Sequence, residues 1–227
     1  MPENTAAAGA TVNSEPGGVG GETSGEQPPQ MGGVGGALGG AHAGGEGGAF
    51  GSPECPSRAI DEWELGYFPE LREATTHESH PFFKVTNRGQ AITLDRLLVR
   101  YYFTKESDMA ETAVCYWVTG DRCARARMEF LDLPEPTASA SRYLQVSFPD
   151  ASDVTIAAES LEVRLGFKTG SAKLTQTNDY SFDASAAAPS AVAPFPYKPW
   201  PRATLYIDGE LVWGTEPCPA SSLVSAR

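Results

Sequence analysis

The sequence predicts an all-β fold, a two-sheet β-sandwich (jelly roll) of about nine strands with a disordered Gly-rich N-terminal tail. Short runs of alternating apolar and polar residues recur from Trp63 onward, and a period of two is the pattern of a strand with one buried face. Turn residues such as Asn87-Arg88-Gly89 separate the runs, and no stretch shows a convincing helical period. Turn-rich chains of this size build sandwiches or jelly rolls.

The alternating runs give the order of the predicted strands. The final pair is a predicted hairpin, because Asp208-Gly209 between two apolar runs strongly favours a tight β-turn. After a strand that begins near Trp63, the runs are Phe82–Thr86, Leu97–Phe103, Val114–Val118, Arg127–Leu131, Tyr143–Phe148, Leu161–Phe167, Ala203–Ile207 and Leu211–Trp213.

Composition divides the chain into a tail and one folded domain. Of the 24 glycines, 17 precede residue 52, and no Lys or Arg occurs before Arg58. Such a segment buries too little apolar surface to offset the entropy lost on ordering, so it is predicted to be a disordered linker or tail. The predicted boundaries are 1–57 for this tail, 58–218 for the module and 219–227 for a short C-terminal tail.

The net charge of −12 limits the partners that the chain is expected to have. Nucleic acids and anionic membranes both attract clustered Lys and Arg, so neither is a predicted partner. No run approaches the roughly 18 apolar residues of a membrane span, and no secretory signal is visible at the N-terminus. The 3 histidines accompany no G-x-S-x-G motif, and the chain is predicted not to be an enzyme.

The four cysteines have two interpretations. Cys115 and Cys123 flank a hairpin-sized connection, while Cys55 and Cys218 bracket the folded region. Pairing 115–123 and 55–218 would staple one loop and both ends of the domain, which requires an oxidising compartment. The alternative is four buried thiols in a cytosolic protein.

A run of oxygen-bearing side chains, Thr175–Asp179, is a candidate metal-binding loop. Calcium takes about 6–8 oxygen ligands, more than one loop usually supplies, so the segment Thr104–Glu106 is predicted to contribute others. The alternative is a turn in which Asn178 and Asp179 bond their own backbone.

Five motifs together resemble the family 3 carbohydrate-binding modules, the cellulose-binding jelly rolls of cellulosomal scaffoldins and bacterial cellulases. They occur in the family's order over roughly residues 61–217, and five in sequence are far more specific than any one alone. The motifs are Phe83-Lys84-Val85-Thr86-Asn87-x-Gly89, Leu97-x-Val99-Arg100-Tyr101-Tyr102-Phe103-Thr104, Tyr143-Leu144-Gln145-Val146-Ser147-Phe148, Thr175-Gln176-x-Asn178-Asp179-Tyr180-Ser181-Phe182 and Tyr206-Ile207-Asp208-Gly209-x-Leu211-Val212-Trp213-Gly214-x-Glu216-Pro217.

The resemblance implies a structural calcium ion that joins two loops and takes no part in catalysis. The implied metal ligands are Thr104, Glu106, Thr175, Asn178 and Asp179. Glu106 stands where the family usually has Asp, and the longer side chain keeps the carboxylate but changes its reach.

The resemblance also implies a flat strip of aromatic and polar residues that stacks on glucose rings, but most of this strip is absent. Tyr116-Trp117 replaces the family's Asp-His, Gly166 aligns with the strip arginine, and no aromatic residue lies within 169–174. Successive residues of a strand point to opposite faces, so at most one of Tyr116 and Trp117 is expected to be exposed. For Trp117, packing in the core is the alternative.

A second aromatic group lies in the Pro-rich segment Ala184–Pro201, which is predicted to run over the surface. Its members are Phe195, Tyr197 and Trp200. They are interpreted either as a new sugar platform or as a cap on the edge of the sandwich.

The family also has a shallow groove on the opposite sheet, and outward-facing residues of this chain are candidates for it. An ordinary solvated face with cross-strand pairs is the alternative. The candidates are Arg100, Tyr102, Tyr143 and Gln145.

These observations predict an extracellular, non-catalytic module that binds cellulose or a related β-glucan, with calcium as a structural cofactor and an associated glycoside hydrolase as a candidate partner. The alternative is a protein-interaction or cell-surface scaffold module that keeps the fold but has lost crystalline-cellulose binding. The predicted carbohydrate-binding residues are Tyr116, Trp117, Tyr197 and Trp200.

Overall fold

The computed structural model describes residues 55–158, 160–186 and 195–219, which form an almost purely β structure. Nine strands have five or more residues, in agreement with the predicted number, and six are bridges of two or three residues. Three single-turn 3₁₀ helices, Leu94–Arg96, Cys123–Arg125 and Gln176–Asn178, connect them. Residues 1–54 of the predicted N-terminal tail lie outside the described ranges, as does most of the C-terminal tail. The last three residues of that tail, 55–57, are described, and β1 begins at Ser57.

The strands, numbered in chain order, are β1 Ser57–Ala59, β2 Trp63–Pro69, β3 Thr75–Thr76, β4 Pro81–Asn87, β5 Ile92–Thr93, β6 Leu97–Phe103, β7 Glu111–Val118, β8 Arg127–Asp132, β9 Arg142–Ser147, β10 Thr155–Ile156, β11 Ser160–Thr169, β12 Leu174–Thr175, β13 Lys198–Pro199, β14 Ala203–Ile207 and β15 Glu210–Thr215.

Two antiparallel sheets form the predicted sandwich. The larger sheet has the order β1-β15-β14-β6-β9-β8, and the smaller has the order β13-β2-β4-β11-β7. The hairpin between β14 and β15 turns at Asp208 and Gly209, whose φ angles of 53° and 80° suit the tight turn predicted there. Two short ribbons, β10-β5 and β12-β3, complete the pairing.

The core lies between the two sheets and follows the alternation of the sequence. On β11, Leu161, Val163 and Leu165 are at most 2% exposed, while the residues between them point outward. The inward residues of both sheets, Val99 and Leu144 of the larger one among them, belong to a single apolar cluster. Burying each such side chain contributes about 1.5–3 kcal/mol, so this cluster is the main source of stability.

The described end of the Pro-rich segment runs along the edge of the five-stranded sheet. There β13 pairs with β2, Lys198 opposite Tyr67 and Pro199 opposite Gly66. An edge position suits proline, which has no N–H to donate to a second neighbour. Residues 187–194 of the same segment lie outside the described ranges.

Two disulfides staple the domain, which confirms the pairing predicted for the four cysteines. Cys55 and Cys218 join the two ends of the described chain with Cα atoms 5.4 Å apart. Cys115 and Cys123 close the connection that follows β7, with Cα atoms 5.6 Å apart.

Within the described ranges, no helix is both long enough and apolar enough to cross a bilayer.

Removing the disulfides is expected to destabilise the domain unequally. The Cys55–Cys218 bridge spans 163 residues and the Cys115–Cys123 bridge spans 8, so loop entropy predicts losses of about 5 and about 2.5 kcal/mol, respectively. Urea unfolding of the two double Cys→Ala variants measures the difference under non-reducing conditions. Equal losses, or a larger loss for the short bridge, would contradict this ranking.

Candidate functional site

A β-bulge in β7 places two adjacent aromatic residues on the outer face, the side of the five-stranded sheet that points away from the core. Arg164 pairs with Trp117, but the next residue, Leu165, pairs with Cys115, which leaves Tyr116 as an extra residue. Alternation restarts across the bulge, and Tyr116 and Trp117 line one trough on the outer face. The premise that the two side chains point to opposite faces is therefore wrong, because it assumed a regular strand. Only Tyr116 is exposed, as predicted, and Trp117 is half-buried.

The hydroxyl end of the Tyr116 ring lies against β11 at Gly166. A Cβ atom on Gly166 would come within 2.7 Å of Tyr116 Cε2 and 2.8 Å of its Cζ, so a larger residue leaves no room for the ring. Gly166 is not one of the glycines with a positive φ, so backbone conformation does not require a glycine here. The structural reason for the glycine is the close approach of the Tyr116 side chain. Tyr116 is 45% exposed, so the ring covers the strand on one side and meets solvent on the other.

A histidine-centred network holds the Tyr116 hydroxyl. The Nε2 atom of His80 lies 3.0 Å from this hydroxyl and 3.1 Å from Glu78 Oε2, while its Nδ1 atom lies 2.8 Å from Glu70 Oε2. The hydrogen bond from His80 lowers the pKa of Glu78, and burial raises the pKa of Tyr116. The Tyr116 ring is therefore fixed at its edge by a hydrogen-bonded chain of two carboxylates and one imidazole.

The guanidinium of Arg164 fills the space between two other rings. Its Cζ atom lies 4.6 Å from the ring centroid of Trp117 and 4.6 Å from that of Phe195, within the range of cation–π attraction. Phe195 in turn packs on Phe68 and Phe82, with 5.3 Å between ring centroids in both pairs. Phe82 points outward as alternation predicts, yet Phe195 covers it and it is buried.

The other two predicted sugar-binding aromatics have different surroundings. Tyr197 is half-buried beside Phe195, and its hydroxyl donates to Glu162 Oε2 at 3.3 Å. The indole N–H of Trp200 donates to the Ser181 carbonyl at 2.8 Å, and its ring stacks on Tyr67 at 6.2 Å. Trp200 also packs against the core cluster, and these contacts favour the cap over the sugar platform for this residue.

On the opposite sheet, the predicted groove is filled by its own side chains. The guanidinium of Arg100 lies between the rings of Tyr143 and Tyr206, at 4.7 and 4.4 Å, and donates to Gln145 Oε1 at 3.2 Å. Tyr102, which alternation places on the outside, is only 1% exposed. Arg100, Tyr143 and Gln145 are half-buried, and the strand register pairs Arg100 with Gln145 and Tyr102 with Tyr143.

The two predicted metal-binding loops are in direct contact. The Thr104 backbone N–H donates to Asp179 Oδ1 at 2.8 Å, and the Thr104 hydroxyl donates to the Asn178 carbonyl at 3.4 Å. Glu106 accepts from the Thr175 N–H at 2.7 Å and from the Asn178 amide at 2.8 Å. The Asn178 and Asp179 side chains thus bond the other loop, which contradicts the interpretation as a turn bonded to itself.

The electrostatics at these loops favour a cation. Asp179 is 8% exposed, and burial, with a further contribution from nearby Glu106, raises its pKa to about 8 despite the hydrogen bond from Thr104. None of the described Lys or Arg side chains forms an ion pair with it. The described part of the chain holds no cluster of three or more His, Cys, Asp or Glu arranged for a metal. Two carboxylates with neutral oxygens around them fit a hard cation such as calcium.

Sequence reasoning missed four residues of the outer-face site, namely Glu70, Glu78, His80 and Arg164. Alternation along β11 does place Arg164 outward, but it does not name its partners. The pairing of β11 with β4 brings Ser79 opposite Phe167, and His80 follows next to Gly166. Only this register, which the sequence does not specify, assembles the group.

Comparison with known proteins finds a family profile described as "Cellulose binding domain", that of the family 3 carbohydrate-binding modules, which matches residues 67–214. A xyloglucanase from a Paenibacillus species is 35% identical over 146 residues, and cellulosomal-scaffolding protein A from Acetivibrio thermocellus is 31% identical over 152 residues. Each match covers 63% of this chain but only 13% and 8% of the relatives, so the chain spans a small part of their length.

Among solved structures, the chain is similar to a CBM3b domain from the scaffoldin ScaA of Acetivibrio cellulolyticus. The TM-score is 0.61 and the sequences are 31% identical. The alignment covers 69% of this chain and 97% of that domain, so nearly all of the known module has a counterpart here.

Substitution of Gly166 tests the placement of the Tyr116 ring. Gly166→Ala is expected to cost about 0.5–1.5 kcal/mol in the wild-type background, because the added Cβ displaces the Tyr116 hydroxyl from its hydrogen bond with His80. The same change in a Tyr116→Ala background is expected to cost less than half as much. A double-mutant cycle by urea unfolding measures the coupling, and equal costs in the two backgrounds would show that the ring does not lie over Gly166.

The buried carboxyl of Asp179 is expected to make stability depend on pH in the chelated protein. Its pKa rises from 3.8 in the unfolded chain to about 8, so the folded state holds a proton that the unfolded chain releases. The free energy of unfolding should therefore fall as pH rises from about 4 to about 8. Thermal melts across this range measure it. The matched variant Asp179→Asn keeps the acceptor oxygen and should lack this component, and identical profiles would contradict the assignment.

Proposed function

This chain belongs to the family 3 carbohydrate-binding modules, and we propose on that premise that its outer face binds cellulose or a related β-glucan without catalysing a reaction. The observation that carries the proposal is the bulge in β7 together with Gly166. These two features place the Tyr116 ring against the sheet, in one trough with Trp117. They supply an aromatic surface where the family's strip residues are missing.

The proposed chemistry is stacking combined with hydrogen bonding. A β-linked glucose ring presents C–H groups on its faces, and these pack on the plane of an aromatic side chain such as Tyr116. The sugar hydroxyls around its rim need donors and acceptors. The carboxylates of Glu70 and Glu78 accept hydrogen bonds, and the ring N–H groups of His80 donate them. All three lie within one hydrogen-bonded network with the Tyr116 hydroxyl.

We also propose that calcium binds between the two contacting loops and has a structural role. The oxygens of Thr104, Glu106, Thr175, Asn178 and Asp179 would hold it. The Asp179 carboxylate is buried, and the contacts between the loops hold the Glu106 carboxylate near it. The ion would compensate the repulsion between these two carboxylates. Its effect would be to keep the two loops joined.

The proposed setting is extracellular, with the module appended to a larger protein that acts on or organises polysaccharide. Support comes from the two disulfides, which form and persist in oxidising compartments. The relatives named as a xyloglucanase and a cellulosomal-scaffolding protein agree with an associated glycoside hydrolase or scaffold as partner, since the match covers only a small part of each.

Polysaccharide binding is expected to depend on the bulge residues. Tyr116→Ala and Trp117→Ala should each weaken binding to amorphous cellulose about tenfold or more, as loss of a central aromatic contact does in other interfaces. Leu131→Ala is the matched control, because this exposed apolar residue lies on the other sheet. Pull-down isotherms measure the effect. Unchanged binding by both aromatic variants would contradict the proposed face.

A panel of cellulose, chitin, xylan and soluble glucans separates this function from its alternative. Binding to none of them would contradict carbohydrate recognition and would favour the protein-interaction module.

Calcium is expected to raise the melting temperature of the chelated protein, because a ligand that binds only the folded state stabilises it by mass action. The increase should be lost in Asp179→Asn and reduced in Glu106→Gln, whereas Glu210→Gln, an exposed carboxylate on β15, should keep it. Thermal melts with and without chelator measure it. A wild-type melting temperature that does not respond to calcium would contradict the site.

A further inference from the structure

The outer face is uneven, and Phe195 divides it. One trough of about 380 Å³ is lined by Tyr116, Trp117, His80 and Phe195, among others. A second trough of about 330 Å³ lies on the other side of Phe195 and is lined by Glu162 and Tyr197, among others. Each volume lies near the lower end of the roughly 300–1,000 Å³ of small-molecule sites, enough for a short stretch of sugar rings.

Phe195 and Tyr116 lie in different layers of side chains above the sheet. The hydroxyl end of the Tyr116 ring lies against Gly166, with no side chain between them, so the ring belongs to the first layer above the sheet. Phe195 packs on the side chains of Phe68 and Phe82, which are themselves outward-facing, so it lies in a second layer, with 5.3 Å between its ring centroid and each of theirs. The two aromatic surfaces thus lie at different heights.

The Phe195 ridge, formed by this residue and the Arg164 guanidinium against it, is held on several sides. Besides packing on Phe68 and Phe82, the Phe195 ring has its centroid 4.6 Å from Arg164 Cζ and 6.2 Å from the ring centroid of Tyr197. Arg164 in turn donates to Glu162 Oε2 at 2.9 Å. A ridge with so many contacts does not flatten easily against a rigid surface.

From these heights and contacts we infer that the outer face selects single β-glucan chains over the surface of crystalline cellulose. A crystal face is flat over a distance much longer than this site, so contact with the ridge would hold it away from the Tyr116 ring. An isolated chain is narrow enough to lie in the trough beside the ridge and stack on Tyr116. This inference rests on the proposed function and specifies its substrate class.

The test compares two physical forms of one polysaccharide. Wild-type protein is titrated onto microcrystalline cellulose and onto acid-swollen amorphous cellulose, with cellohexaose as a soluble competitor. Affinity for the amorphous form is expected to be at least tenfold higher, and millimolar cellohexaose should release the bound protein. Equal or tighter binding to the microcrystalline form would overturn the inference and leave the proposed function standing. No binding to either form, nor to cellohexaose, would overturn both.

Removal of the Phe195 ridge tests whether the ridge causes the expected preference for amorphous cellulose. Phe195→Ala is expected to raise affinity for microcrystalline cellulose several-fold relative to amorphous cellulose, because the flat surface then approaches Tyr116. Phe195→Tyr keeps the ridge and serves as the matched control, and Leu131→Ala controls for the other sheet. If Phe195→Ala melts like the wild type yet keeps its preference for amorphous cellulose unchanged, the ridge is not the cause and the inference fails. The wild-type comparison stands even where that variant is unfolded.

Discussion

The sandwich depends on strands that return each side chain to the same face every second residue. Nine strands keep this period well enough for their inward residues to form one apolar cluster between two sheets. The pairing of β11 with both β4 and β7 fixes which outward residues become neighbours. The single extra residue in β7 changes the period at one point without disturbing the core, because Val118 beyond it is fully buried again.

This break produces the chemistry of the outer face. A regular strand would direct one of Tyr116 and Trp117 inward, and the face would then carry a single exposed ring. The bulge instead aligns both with Arg164 and with the His80 network. The same region therefore combines aromatic planes, a guanidinium and carboxylates, which is the mixture of apolar and polar contacts that sugar rings require.

Much of the fold was accessible from the sequence, and the reason is that its signals are local. Alternation defines β11 within ten residues, and the turn at Asp208-Gly209 needs only the residues beside it. The segment Thr104–Glu106 was predicted to join the oxygen-rich run because calcium needs more ligands than one loop supplies, and the family motifs then named individual ligands such as Thr104 and Asp179, which 75 residues separate. The sequence did not reveal the bulge, because it is a property of the register between two strands and not of β7 alone.

The outcome at the Pro-rich segment has a similar physical cause. Composition excludes a helix or central strand there, and β13 does lie at a sheet edge. Which aromatic packs inward depends on what it meets: Trp200 meets Tyr67 and the core, whereas Phe195 meets Phe82 on the outside. Spacing within the segment carries no information about either partner.

The steric relation between Tyr116 and Gly166 also constrains how such modules diverge. A longer side chain at position 166 would occupy the space of the Tyr116 ring, so positions 116 and 166 are expected to change together during evolution. Within this family, a glycine at the position of Gly166 together with a tyrosine at the position of Tyr116 would then mark the same arrangement of the surface, even in sequences of low overall identity.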